Sequence, residues 1–426
     1  MADIKGESEN GAAGERTSGR MLTDERRKKL QRNVVLLRFI RGIEFFMLMI
    51  PILVVYYKAN GLSMQEVMLL QAFFSGMMVV IEIPSGYFSD VLGRRRTMII
   101  GCSLTALGFA IYPFVFDFMG FLVVELILGV GVAFISGTDS AMLYDTMLEL
   151  GHAERGVREE GRQLSFGHFS EAVSGVLGGF LAAVSLRAPL LAQGAVMLLM
   201  IPLAFMLTEP AEHRRSGRKG SMREIINIVA GVVVHNRSLR WMLLTSSILG
   251  ASTLTFVWLL QPYMQAAGVP LWMFGAIWSG FMLIVGASSM YAHRVQSRFG
   301  TINTITVLGV LVVCVYVVAG ATMTFWIIPL LAVFNITRGI SNPVFTTAIN
   351  QRVESHQRAT VLSVRALGVR MLFVVVGPFV GWITDVTTLS MALYTCAIIF
   401  GIAFVFCAWM WRWTSVFAPA DQKPQL

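Results

Sequence analysis

Ten ionisable side chains stand within stretches that are otherwise apolar: Arg38, Arg41, Glu44, Glu82, Glu125, Asp139, Glu171, Arg338, Arg365 and Arg370. Insertion scales charge about 2.5–3.5 kcal/mol for such a group at the centre of a bilayer. Ten of them facing lipid would cost about 30 kcal/mol, well beyond a typical folding stability of about 5–15 kcal/mol. They must therefore face one another or a wet interior. By position along their stretches, Arg38, Glu82, Glu125 and Arg365 lie nearer the ends, and the other six lie nearest the middle. A carboxylate moved between a closed and a hydrated setting, with an arginine close by, can take up and release a proton. Glu44, Asp139 and Glu171 are the candidates for that exchange. Arg41 and Glu44 are three apart, as are His168 and Glu171, so each pair can touch on one helix face. The mid-depth acids belong to the first half of the chain, whereas the second half supplies Arg338 and Arg370. A permanent salt bridge between the halves and a latch that breaks in each cycle both satisfy that pattern. Arg41, Arg338 and Arg370, with Gln261, Tyr263, Asn335 and Asn342, are the residues expected to line a solute cavity, and Pro262 permits a bend beside it.

The elements that position these groups follow from composition. The 426 residues are 55% hydrophobic and 14% charged, against about 45–50% and about 25% in soluble domains. Such an excess of apolar surface must face lipid. Twelve apolar stretches approach the length of roughly 20 residues that a bilayer requires: 34–57, 65–88, 97–116, 119–146, 164–185, 188–208, 240–264, 272–292, 302–321, 324–347, 361–384 and 389–412. No alternating ten-residue barrel pattern is present, so the spans are helical. The expectation is an all-α polytopic membrane protein with twelve transmembrane helices in two six-helix bundles, 34–208 and 240–412. These are joined by a cytoplasmic linker, 209–239, and flanked by a disordered tail, 1–33, and a short tail, 413–426. Within the linker, "MREIINIVAGVVV" has the make-up of an amphipathic helix lying on the membrane surface. Gly175 and Gly179 on the fifth stretch recur as Gly377 and Gly381 on the eleventh, the small-residue spacing that lets helices approach and a trace of pseudo-symmetry between the halves.

Of the 34 lysines and arginines, 27 fall on one side of this layout, Lys58 and Arg187 on the other and five within spans. The positive-inside rule then puts both termini in the cytoplasm of a cell membrane. The basic surface suits anionic lipid headgroups, with no nucleic-acid partner. Cys102, Cys314, Cys396 and Cys407 show no paired spacing, so packing is their expected role; neither a metal site nor a disulfide frame is expected.

Between the second and third stretches stand Gly86, Asp90, Gly93, Arg94 and Arg95, which form G-x-x-x-D-x-x-G-R-R. This resembles the cytoplasmic-loop signature of the major facilitator superfamily, and the six-plus-six layout extends the resemblance over nearly the whole chain. The resemblance implies a gating latch: Asp90 capping a helix end of the second half near the eleventh span, and Arg94 pairing with Asp145 at the end of the fourth. Arg96 is left to the positive-inside rule. Departures are informative. "MYAHRVQSRFG" in the second half keeps Gly300 without the acid. The fifth span reads "SGVLGG" without the proline of proton-driven exporters, whereas Gly377-Pro378-Phe379-Val380-Gly381 keeps most of that pattern. Glu125 stands where the fourth span usually carries an arginine.

The resemblance implies a secondary transporter working by alternating access as a monomer. The expected activity is proton-coupled efflux of an amphipathic or charged small molecule, with the proton gradient in place of a cofactor. The alternative is an importer or uniporter of an anionic or zwitterionic solute held by the cavity arginines. No Walker loop, G-x-S-x-G or H-E-x-x-H occurs, so an enzyme or a nucleotide-driven pump is not expected. If the topology is right, protease added to sealed inside-out vesicles should remove tags fused to either terminus; protection of either tag would reverse or break the assignment.

Overall fold

The computed structural model describes residues 23–211, 236–354 and 357–414. Among them every regular element is helical. The first half contains α1 (Asp24–Glu44), a 3-10 turn (Ile50–Ile52), α2 (Leu53–Ala59), α3 (Met64–Leu92), α4 (Arg94–Ile111), α5 (Phe118–Ile135) and α6 (Thr138–Glu149). It continues through α7 (Gly156–Val184), α8 (Ala188–Leu198) and α9 (Met200–Phe205). The second contains α10 (Arg237–Ala266), α11 (Leu271–Phe299), α12 (Thr301–Ala321), α13 (Ala332–Asn350), α14 (Arg358–Val386) and α15 (Leu389–Thr414). The proposed surface helix of the linker lies outside the described residues.

Among the described residues, ten segments are long and apolar enough to cross a membrane. The expected spans 34–57 and 164–185 are not among them, although both are built of helix. The first is interrupted between Glu44 and Ile50, and the second is diluted by charge and glycine. Those are the segments that carry Arg41, Glu44, His168 and Glu171, so the twelve-span layout is least visible where polar chemistry interrupts it.

The helix ends are fixed by local chemistry. Ser63 and Glu66 form a capping box on α3, Asp117 caps α5 and Asn236 caps α10, each satisfying amide donors that have no partner in the helix. Gly93 and Gly300 occupy equivalent turns, α3 to α4 and α11 to α12, with φ of 95° and 77°. That is backbone which only glycine adopts at little cost, and it marks the internal repeat. Residues 24–33, expected to be disordered, are instead the opening turns of α1. Thr23 caps them, Lys29 pairs with Glu25 at 2.6 Å and Arg26 with Glu149 at 2.5 Å, while Asn33 donates to Thr208 O at 2.7 Å. The Glu149 hydrogen bond raises the Arg26 pKa above its ordinary value. Partners distant in sequence supply that order.

The two bundles meet along α3 with α14 and α7 with α11. Glycines set the closeness. A Cβ on Gly179 would stand 2.7 Å from Trp272 O, and one on Gly381 would stand 2.8 Å from Met64 O. At the end distal to the termini, Asp385 of α14 caps α3 across the interface, accepting from Met64 N at 2.8 Å and Gln65 N at 2.7 Å. Ser279 Oγ of α11 donates to Ala172 O of α7 at 2.6 Å. Nearer the proximal end, a Cβ on Gly161 or Gly286 would meet nothing within 4 Å. The halves are clamped at one end and looser at the other.

Removing the cap with Asp385→Ala should cost the distally closed state about 1 kcal/mol, a factor of about five in population. Leu53→Cys, at a site 3% exposed, in a background lacking the exposed Cys314, should then label several-fold faster with an impermeant thiol reagent. An unchanged rate would deny Asp385 a part in the closure.

Candidate functional site

The interruption after α1 is the centre of the site. The chain leaves helical geometry at Phe45 and resumes it at Ile50, which strips the backbone of its ordinary i→i−4 partners. Two buried glutamines replace them. Gln193 of α8, from the same half, accepts from Leu48 N at 2.6 Å and donates to Phe46 O at 2.9 Å. Gln261 of α10, from the other half, accepts from Val54 N at 2.8 Å and Val55 N at 3.4 Å and donates to Ile50 O at 2.8 Å. Gly178 permits the approach, since a Cβ there would collide with Leu48 O.

A second break lies on the neighbouring α5–α6 segment. Ser136 and Gly137 separate the two helices, with Gly137 at φ 78°, and Asp139 stands in the first turn after it. Asp139 Oδ1 accepts from Ser140 N at 2.7 Å. Its Oδ2 lies 3.2 Å from Arg41 Nη2, and Arg41 Nη1 reaches Glu44 Oε2 at 3.0 Å. Side-chain exposures are 17% for Arg41, 8% for Glu44 and 3% for Asp139. One guanidinium is thus shared by two carboxylates, each placed at a helix break. Glu160 and Cys102 are electrostatically close to the cluster, and Gln163 Nε2 reaches Asp139 Oδ2 at 3.4 Å. Glu171 stands apart from this triad, partly exposed on α7, with His168 Nδ1 at 3.4 Å from its carboxylate and the His168 ring edge-on to Phe45.

In the second half, Arg338 is exposed at mid-length of α13 and opens on a narrow cleft of about 10 Å³ lined by Asn335, Thr253, Phe256, Trp278 and Phe281. Arg370 is half-buried on α14. The other expected cavity residues fall elsewhere. Gln261, 1% exposed, has its side-chain amide bound to the broken first span. Tyr263 is fully buried, its hydroxyl donating to Thr322 O at 2.9 Å. Asn342 accepts from Arg365 at 2.6 Å, and Arg365 also binds Ser246 and Thr346. Helical periodicity gives the side on which these residues lie, but not that a neighbouring backbone already takes their polar atoms.

At the proximal end, Arg94 lies 2.9 Å from Asp90 and 3.3 Å from Asp145. One ion pair of Asp90 is made within its own half, with Arg94, and at the opposite end Asp385 places a cap on α3 that crosses between halves. The α4 N-terminus is held by a residue that the sequence pattern did not single out. Glu209 accepts from Arg94 N at 2.8 Å and Arg95 N at 2.7 Å, a carboxylate placed on the positive end of a helix dipole. Gly93 is required there twice, by its φ and because a Cβ would stand 3.0 Å from Glu209 Oε1. Gly86 lies in the last two turns of α3 with open space around it. Glu125 receives hydrogen bonds from Tyr57 at 2.7 Å, Tyr112 at 2.9 Å and Gln71 at 3.4 Å, three neutral donors from three other segments. The side chain of Glu82 lies outside the described residues.

A family model described as Major Facilitator Superfamily matches residues 34–378. An uncharacterized MFS-type transporter of Methanocaldococcus jannaschii is 20% identical over 368 residues, covering 83% of this chain and 90% of its own length. Among solved structures, the nucleoside transporter NupG superposes with a TM-score of 0.73 at 13% identity, over 91% of this chain and 99% of that one. A bacterial homolog to the human lysosomal transporter Spinster, in an inward-facing and unoccupied conformation, gives 0.72 at 13% identity, over 93% and 99%. At these identities the likeness is one of fold. The family match across most of the chain, on two helical bundles whose broken spans turn charged groups inward, establishes that the chain belongs to the major facilitator superfamily of membrane transporters.

Proposed function

We propose that the protein is a proton-coupled secondary transporter that exports a charged, amphipathic small molecule. The observation that carries this reading is the sharing of Arg41 by Glu44 and Asp139. With all three ionised the buried cluster holds one uncompensated negative charge, which a low-dielectric setting makes costly. A proton removes it. Protonating either carboxylate leaves the guanidinium with a single ionic partner, so the break that loses its partner is free to rearrange. Because the break after Glu44 is also bonded by Gln261, a proton taken up at one side of it bears on the distal closure at the other. That is the linkage a coupled carrier requires: an ion whose binding differs between the two conformations.

Proton entry and substrate exit use the same acidic wall, so each leaves as the other arrives. Inward proton movement is favoured by an inside-negative membrane potential, about 2.3 kcal/mol per 100 mV for each charge. The locality assigned is the cell membrane with both termini in the cytoplasm, which makes the proximal end the inner mouth.

The distal-gate labelling described above tests this without a known substrate. With the other residues unchanged, the labelling rate of Leu53→Cys, divided by that of the same thiol in the unfolded protein so that thiol ionisation cancels, should change with pH between about 5 and 9, because the two conformations bind different numbers of protons. Asp139→Asn and Glu44→Gln should each flatten that dependence. A pH profile identical to wild type in both variants would remove the cluster from the coupling role.

A further inference from the structure

The two halves of the molecule carry opposite charges within their spans. In the second half, Asp385 is the acidic residue of the described spans 237–350 and 358–386, and both its oxygens are occupied at the distal end of α3. Arg365 is taken up by neutral groups on α10 and α13. Arg338 differs: it is exposed at mid-length of its helix, and none of the ion pairs among the described residues includes it. Its cleft also carries Asn335 on the preceding turn and Thr253 of α10, with a floor of aromatic rings in which Phe256 and Phe334 stack at 3.8 Å. A cation, an amide and ring faces together suit an acidic group attached to an apolar body.

The acidic wall adjoins this cleft through one residue. Glu171 keeps 19% of its side chain exposed on α7. Gly175, one turn further on the same face, is so close to α11 that a Cβ would stand 3.2 Å from the Trp278 ring and 2.5 Å from Ser279 Oγ. Trp278 also lines the Arg338 cleft. Helices α7 and α13 both pack on α11, so Glu171 and Arg338 stand on the two helices that flank the one carrying this ring.

We propose that the hollow selects small zwitterions, with the acidic group on Arg338 and Asn335, the ammonium on Glu171 and the apolar body against Trp278 and Phe281. This deepens the transport reading above and rests on it. A substrate ammonium at Glu171 adds positive charge to the wall that also bears Arg41, Glu44, Asp139, Glu160 and His168, which disfavours a proton there. Exchange of substrate for proton follows from that competition.

The test is equilibrium binding to the purified full-length protein in detergent at fixed pH, with no gradient. The probes are phenylalanine and the dipeptide phenylalanylphenylalanine, each with its decarboxylated amine and its deaminated acid, read by calorimetry and by thermal stabilisation. A zwitterion is expected to bind about tenfold or more tightly than either counterpart, as loss of one charge-assisted contact implies. Arg338→Gln should equalise the zwitterion and the amine, and Glu171→Gln should equalise the zwitterion and the acid. Arg338→Lys should restore part of the preference, which separates lost charge from lost folding. Amines or acids binding as tightly as zwitterions, charge preferences unmoved by either substitution, or no probe binding at millimolar concentration would each overturn the proposal. The wild-type pH profile of gate labelling is independent of this outcome, so zwitterion binding with a flat profile would remove the coupling reading alone.

Discussion

A backbone that stops being helical inside lipid must find other partners for its amides and carbonyls, and the interruption between Glu44 and Ile50 is where this molecule meets that demand. Two glutamine side chains meet it, each bonding a donor and an acceptor of the break. Glutamine suits the task because one neutral side chain both gives and accepts a hydrogen bond; a carboxylate could take Val54 N but could offer nothing to Ile50 O. Since Gln193 and Gln261 come from different halves, the first span is bonded at once to its own bundle and to the opposite one.

The electrostatics follow from that arrangement. A continuous helix would carry Glu44 at a fixed height on one face. The break instead lets α1 end with Glu44 as its last residue, and the equivalent interruption at Gly137 begins α6 with Asp139 in its first turn. Arg41 can then reach both carboxylates. The acid excess so created lies entirely in the first half, while the second half presents Arg338 without an acidic partner among the described residues.

Sequence made some of this legible and hid the rest for physical reasons. The helical class and most spans followed from hydropathy, because lipid imposes it residue by residue. The Gly93 turn was visible because a local conformation needs a local residue, and Gly300 repeats it. The Arg41–Glu44 and His168–Glu171 spacings were visible because three residues of helix fix a distance. The roles of Gln261 and Tyr263 were not, since their partners Val54, Ile50 and Thr322 lie 59 to 211 positions away. The same holds for Glu125, whose donors come from α2, α3 and the turn after α4. Order in residues 24–33 likewise depends on Glu149 and Thr208, which composition alone does not weigh.

The magnitudes decide whether the distal closure is a wall or a gate. Gln261 makes three hydrogen bonds to the broken span and Asp385 two to the start of α3. Net hydrogen-bond contributions of about 0.5–1.5 kcal/mol each give the five together a few kcal/mol. Moving a two-state equilibrium from 1:99 to 99:1 needs about 5.5 kcal/mol, so the closure is of the size that the binding of a ligand can overturn. The glycine contacts do not change this balance. At Gly179 and Gly381 they bring backbone against backbone, which gives close packing with no interlocked side chains to disengage. Halves held by glycine surfaces and a handful of neutral or helix-end hydrogen bonds can part and re-form. Burying an inter-half ion pair at the same place would have raised the barrier by the desolvation cost of each charge on every cycle, and the charged groups are accordingly kept to the walls of the hollow and the helix ends.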